Sequence, residues 1–336
     1  MKKIIASLMV LVVLGATGLW AQGAVEPAKA EASTQLPAGF PAKNFELIVP
    51  AGPGSAADVP ARILVDLLDL GKPIAVVNIA GASQTIGSAE AATRTADGYH
   101  LLWGGPGAFQ IQHWLLDLSY TMDDFRHISL TAPAEPLVIV VTPTSPIKTI
   151  NDLLAKLKDG AALTYSAANP GSVGHIAMVA LLQQLGAKNA RFVAYNGSAE
   201  GTAAVLGGHL DFFVADLTEV IPRARSNQYV PLAVFASSRI ETFPEVPTLN
   251  ELGYKDMAYE AIKWICVLKD TPEPIVQFLK AKIDAAVMTE EYQAFHKKNA
   301  GMTFKPVSEA ELTQMIRDYR EKFGNILKAL GMSNKK

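Results

Sequence analysis

Residues 47–64 read LIVPAGPGSAADVPARIL, a glycine-rich turn set between an apolar run with strand character and a run with helical spacing. Glycines at 52 and 54 let the backbone come close to a ligand, and the first N–H groups of the following helix are unpaired donors at the positive end of its dipole. A turn of this kind is an anion site by default.

The rhythm set by this stretch runs along most of the chain. FELIVP (45–50), PIAVVNIA (73–80), HLLWGG (100–105) and LVIVVTP (137–143) read as buried strands of a mostly parallel sheet, with DVPARILVDLLDLG and TIGSAEAATRTADG as helices between them. From Ser145 the pattern restarts: helix TINDLLAKLKDG, strand ALTYSAA, helix HIAMVALLQQLG, strand RFVAY, helix AEGTAAVLGG, and strands LDFFVAD and VPLAVFAS. The order is that of α/β layers in two lobes. One joint falls near TPTSP (142–146) and a second around residues 260–264, where the strand IKWICVL begins; the remainder is helical. Two crossings between lobes predict a hinge and a cleft.

The N-terminus has the layout of a secretory signal peptide: Lys2 and Lys3, an apolar run over 4–14, then small residues up to Ala21 and Ala24. The run is shorter than the roughly 20 residues of a spanning helix, and no cysteine near the cleavage region offers a lipid attachment point. Residues 1–22 are therefore read as a signal peptide and 23–42, rich in Ala, Glu, Ser, Thr and Pro, as a flexible leader. Residues 43–142 with 262–336 form lobe one, and 143–261 form lobe two. The single cysteine, Cys266, excludes an intrachain disulfide and sits in an apolar run as a buried thiol. With 336 residues, 49% hydrophobic and 18% charged, the chain is globular, and its net charge of -2 gives no electrostatic case for nucleic acid or an anionic membrane. An exported protein located in the periplasm is expected.

Enzymatic readings find little support. Gly52, Gly54 and Ala57 fit G-x-G-x-x-A, but the next strand ends near Asn78, where a dinucleotide fold expects an acidic ribose ligand. G-x-S-x-G is absent; its nearest imitation, PGSVGHIA, places Ser172 and His175 one helical turn apart with no evident acid partner, which leaves a periplasmic hydrolase as the alternative. The six histidines show no metal-ligand spacing, and neither cofactor nor metal is expected.

Instead, PAGPGSAAD, AGASQTIGS, GGPGAFQ and SAANPGSVGH each follow a strand, combine Gly or Pro with Ser, Thr, Asn or Gln, and lead into a helix. Ligands of open α/β sheets sit at such strand ends. Because these turns hold no Lys or Arg, an anion there is bound by backbone N–H groups, dipoles, hydroxyls and water, which suits a ligand that must be released. The alternative at each turn is a helix cap.

The ordered set FELIVPAGPGSAADVPAR, VNIAGASQTIGSAEAA, ADGYHLL, TINDLLAKLK, LTYSAANPGSVGHIA, VAYNGSAEGTAAVLGGHLDFFVAD, FPEVPTLNELG and KWICVL resembles the periplasmic solute-binding proteins of tripartite tricarboxylate transporters, the Bug-type receptors, over nearly the whole mature chain. The resemblance implies a two-lobed periplasmic binding protein fold, type II-like. It implies a non-enzymatic monomer that closes over a small organic carboxylate and delivers it to membrane permease subunits, with a signalling partner as the alternative recipient. It makes the loops 50–58 and 166–175 two jaws, with Pro50, Gly52, Gly54, Ser55, Ala56 and Asp58 on one side and Ser166, Asn169, Gly171, Ser172 and His175 on the other. Ser83, Thr85 and Gly105 belong to the neighbouring turns, and Tyr195 and Asp216 match cleft-lining positions. Asp58 has two readings: acceptor for its own helix turn, or acceptor for a ligand donor. The chain departs from the family where many members carry consecutive glycines, here Ser55, Ala56 and Ala57, and where many carry Tyr-Lys-Gly-Gly, here Tyr195, Asn196, Gly197 and Ser198. Loss of that lysine turns the expectation away from polycarboxylates toward a monocarboxylate or an amide-bearing ligand.

Overall fold

The computed structural model describes residues 35–335, so the expected signal peptide and most of the leader lie outside the described residues. The first lobe opens with β1 (Phe45–Val49), α1 (Asp58–Leu67), β2 (Ile74–Asn78), α2 (Thr85–Ala92), β3 (His100–Gly104), the short α3 (Gln112–Leu115) and β4 (Phe125–Leu130). The chain then crosses to β5 (Glu135–Val141), α4 (Ile150–Lys158), β6 (Thr164–Ser166), α5 (Val173–Leu185), β7 (Arg191–Phe192), α6 (Ser198–Leu206), β8 (Phe212–Asp216), α7 (Leu217–Arg225), β9 (Val230–Phe235) and β10 (Glu260–Ala261). It returns with β11 (Trp264–Leu268) and ends in α8 (Glu273–Val287), α9 (Glu290–Ala300) and α10 (Glu309–Ala329).

Two sheets result. The first has the order β2-β1-β3-β11-β4, the second β10-β5-β8-β6-β7, with β9 also paired to β5. Each is mixed. β1 runs parallel to β2 and β3, and β6 to β7 and β8, as βαβ connection dictates. β11 is antiparallel to β3 and β4, and β5 to β8, β9 and β10. The antiparallel share, larger than the sequence rhythm predicts, comes from strands that enter a sheet after crossing from the other lobe.

That crossing corrects one boundary. The strand within LVIVVTP belongs to the second sheet, so the first crossing lies at 131–134, not at TPTSP, which only links β5 to α4. The return crossing lies at 262–263. Here Thr131 N–H donates to Lys263 O at 2.9 Å, tying the two crossings together.

Both faces of both sheets are covered. Along β1, Phe45, Leu47 and Val49 enter one core and Ile48 another; along β5, Leu137, Ile139 and Val141 divide from Val138 and Val140 in the same way. Period-two alternation with apolar residues on both faces is why these strands read as continuous hydrophobic runs. Helix starts are fixed locally: Thr149 and Asp152 form a reciprocal capping box at α4, and Ser172 caps α5, which ends on the left-handed Gly186.

The last helices belong to both lobes. Leu312 and Ile316 of α10 sit in the first lobe's core, while Phe323 and Leu327 sit in the second's. Trp114 Nε1 donates to Arg320 O, and the Tyr319 hydroxyl donates to Glu260 at 2.5 Å. Phe323→Ala should therefore lower stability by about 3–5 kcal/mol, a large-to-small core loss, in one cooperative urea transition. Two separate transitions in the wild-type protein would show that α10 does not couple the lobes.

Candidate functional site

The strand ends of the two lobes face a cleft of about 780 Å³, partly open to solvent. Its lining comes from the turn after β1 (Ala51, Ser55, Ala56, Ala57), the turn after β2 (Ser83, Gln84), the turn after β3 (Pro106, Gly107) and the turn after β6 (Ala168, Asn169, Ser172, Val173, Gly174). Gly197 and Ser198 before α6, Asp216 and Glu219 around the start of α7, and Lys263 at the return crossing complete it.

Helix N-termini dominate. Among the described residues the N–H groups of Ala56, Ala57, Val173 and Gly174 have no acceptor, because the only local side-chain acceptors, Ser55 Oγ and Ser172 Oγ, take the N–H groups of Asp58 and His175 instead. Ala57 and Gly197, the N-caps of α1 and α6, supply no side-chain cap. Unpaired donors from both lobes thus line the same cleft.

The turn after β2 is strained. Ala82, Ser83 and Gln84 have φ of +42°, +56° and +77°, a left-handed conformation that non-glycine residues seldom adopt. It directs the buried Ser83 across the cleft, where its Oγ donates to Asn169 Oδ1 at 2.6 Å. Beside this bond lies a second recess, lined by Tyr195, Asn196, Glu200 and Gln112.

Of the residues expected from sequence, Ser55, Ala56, Ser83, Asn169, Ser172 and Asp216 line the cleft, and Tyr195 lines the second recess. Pro50, Gly52, Gly54, Asp58, Thr85, Gly105, Ser166, Gly171 and His175 line neither. The reasons are local. Asp58 accepts from Gly54 N–H, Arg62 and Asn78, which hold its carboxyl below the usual range against the opposing effect of burial. Thr85 and Ser166 donate to backbone carbonyls, and Gly105 and Gly171 are backed by the side chains of Gln84 and Gln112. The His175 ring accepts Gly171 N–H at 3.0 Å and lies against Phe192, and burial pushes its pKa down to about 4. Ser172 Oγ is spent on the α5 cap, so the pair has no general-base geometry.

Three residues escape the reading of the turns. Lys263 Nζ donates to Glu135 Oε2 at 3.1 Å and lies 3.4 Å from Asp216 Oδ2, while Thr218 donates to the same Glu135 oxygen. Burial works against the charge on Lys263, yet the two carboxylates outweigh it and hold the ammonium ionised. Burial raises the Asp216 pKa against the pull of Lys263. Glu219, which accepts from Ser198, is raised to about 7 by burial first and by Asp216 second. A lysine inside the apolar run AIKWICVL and a glutamate opening EPLVIVV are the signals that could have marked the first two; Glu219 leaves none. Among the described residues no cluster of His, Cys, Asp or Glu is placed to hold a metal ion.

The chain matches a family model described as tripartite tricarboxylate transporter family receptor over residues 62–332. It is 31% identical to the protein BugT of Bordetella pertussis over 259 residues, covering 75% of this chain and 78% of that one. Among solved structures it resembles malate-bound MatC of Rhodopseudomonas palustris (22% identity, TM-score 0.78, covering 86% of this chain and 100% of that one) and an adipate-bound R. palustris protein (21%, 0.81, 88% and 99%).

Two outcomes test the buried charges. Lys263→Met leaves Glu135 uncompensated and should cost roughly 3–5 kcal/mol in urea denaturation, most of it recovered in the Lys263→Met/Glu135→Gln double variant; a single-variant loss below about 1 kcal/mol would refute the pairing. Glu219, with its folded pKa raised, stabilises the protonated fold, so its contribution falls as pH rises from about 4.5 to about 7. His113, His127, His175 and His296, with pKa values lowered to about 4 or about 3, act in the opposite sense below about 6.5. The Glu219→Gln variant isolates the first effect: relative to wild type it should gain about 3 kcal/mol between pH 4.5 and 7 in thermal or urea melts. A flat difference would show that Glu219 titrates normally.

Proposed function

Since this chain belongs to the tripartite tricarboxylate transporter family of receptors, we propose that it is an extracytoplasmic solute receptor that binds a small organic carboxylate in the interlobe cleft and hands it to the membrane subunits of a transporter. One observation carries the reading. Unpaired N–H groups at the starts of α1 and α5, one helix from each lobe, line a single cavity. A carboxylate between them would be held by backbone donors and two helix dipoles at once, and closing the lobes would gain contacts that an open cleft lacks.

Related structures bound to malate and to adipate support a carboxylate ligand here. The reading as a receptor and not an enzyme rests on the absence of base geometry at Ser172 and His175, together with the family. The signal-like N-terminus supports export to the periplasm.

A titration by calorimetry and thermal shift tests the proposal. Ligand at 100 times its dissociation constant should add about 2.7 kcal/mol of stability, a visible rise in melting temperature. Binding of at least one small carboxylate without its consumption is the expected result. Catalytic turnover of a carboxylate ester or amide, or indifference to every carboxylate, would overturn it.

A further inference from the structure

We propose that the cleft selects a carboxylate that also carries a positively charged nitrogen, with the carboxylate against the starts of α1 and α5 and the ammonium against Asp216 and Glu219. The inference rests on the receptor reading above and narrows its ligand to zwitterions of the amino-acid class.

Where β8 ends and α7 begins, the second-lobe wall presents two carboxyl groups, Asp216 and Glu219. Glu219 is 7% exposed and lines the cleft; Ser198 occupies its Oε1, and among the described residues nothing donates to its Oε2. Asp216 lines the cleft too and meets Lys263 through Oδ2, while its Oδ1 has no donor, since it caps α7 by position without a side-chain hydrogen bond. Two carboxyl groups that line the cavity therefore each keep one oxygen without a donor.

Charge counting favours the same ligand. Among the described residues Lys263 is the one cation lining the cleft, and it is shared between Glu135 and Asp216. Arg223 donates to the backbone carbonyl of Glu219, not to its carboxylate, and His296, 3.9 Å from Glu135, is held neutral by burial and by Lys263. The acidic groups Glu135, Asp216 and Glu219 thus outnumber the one ammonium near them. A ligand's second carboxylate placed here would add a further anion to a poorly solvated site, whereas an ammonium would answer the two free oxygens and offset the charge excess. Burial first and Asp216 second raise the Glu219 pKa, and a ligand ammonium beside it would favour its ionised form.

Calorimetric titration of the full-length mature protein with matched probes tests the proposal. Each series keeps one carboxylate and changes one substituent, at the far end in propionate, succinate and β-alanine and in butyrate, glutarate and γ-aminobutyrate, and on the α-carbon in propionate and L-alanine. The ammonium member of at least one series should bind about tenfold or more tightly than its dicarboxylate or monocarboxylate partner. Asp216→Asn and Glu219→Gln should each bring the ratio of ammonium-probe to monocarboxylate affinity down to within about threefold of one. Equal or tighter binding of dicarboxylates, or a preference that survives both variants, overturns the inference and leaves the receptor reading standing. Binding of no probe overturns both.

Discussion

Everything at the cleft depends on one buried cation. Lys263 lies at the return crossing, 5% exposed, and its partner Glu135 opens the strand that follows the outward crossing, fully enclosed. Neither charge is stable in that interior alone, so the pair fixes how the two connecting segments lie against each other. The backbone bond from Thr131 to Lys263 repeats the constraint within the same few residues. Lys263 also reaches Asp216, so the side chain that organises the hinge borders the ligand space. Occupancy of the cleft and geometry of the crossings are thereby parts of one electrostatic unit.

Around this unit the cleft is lined by helix starts whose main-chain N–H groups have no acceptor, together with side chains such as Ser83, Asn169, Asp216 and Glu219. Helix starts need no cationic side chain to attract an anion, and their donors are positioned by folding, without side-chain entropy to lose on binding. A lysine at the same place would bind more strongly and release more slowly. The specificity that backbone donors lack falls to the side chains of the opposite wall, and there the chain has placed carboxylates.

Much of the architecture was legible because it is written in period. β1, β3 and β5 announce themselves as apolar runs buried on both faces, and the turns after β1 and β6 as glycine with a capping serine. The turn positions named from sequence reached the cleft at Ser55, Ala56, Ser83, Asn169 and Ser172. What periodicity cannot show is partnership across the fold. Asp58 looks like a ligand acceptor until Arg62 and Asn78 are seen to close on it, and His175 until Gly171 takes its ring nitrogen. Lys263, Glu135 and Glu219 are 44 to 128 positions apart in pairs that only a folded chain brings near, as the 128-residue separation of the Lys263–Glu135 bond makes plain. The outward crossing was misplaced for a related reason: TPTSP has linker composition, while the true crossing at 131–134 is short and leads straight into a strand.

The contacts across the cleft set an energetic condition on the ligand. The Ser83 to Asn169 bond joins the lobes across the cleft, but a neutral hydrogen bond contributes only about 1 kcal/mol net, roughly a fivefold bias. The left-handed turn that presents Ser83 stores strain on the order of 1–3 kcal/mol per residue. Separation of the lobes also has to be accommodated along α10, whose two halves lie in different cores with Tyr319 packed against both. A ligand that engages α1 on one side and α5 and α7 on the other adds charge-assisted bonds available only when the lobes are together, and it is this difference between states, not affinity alone, that lets binding report itself as closure.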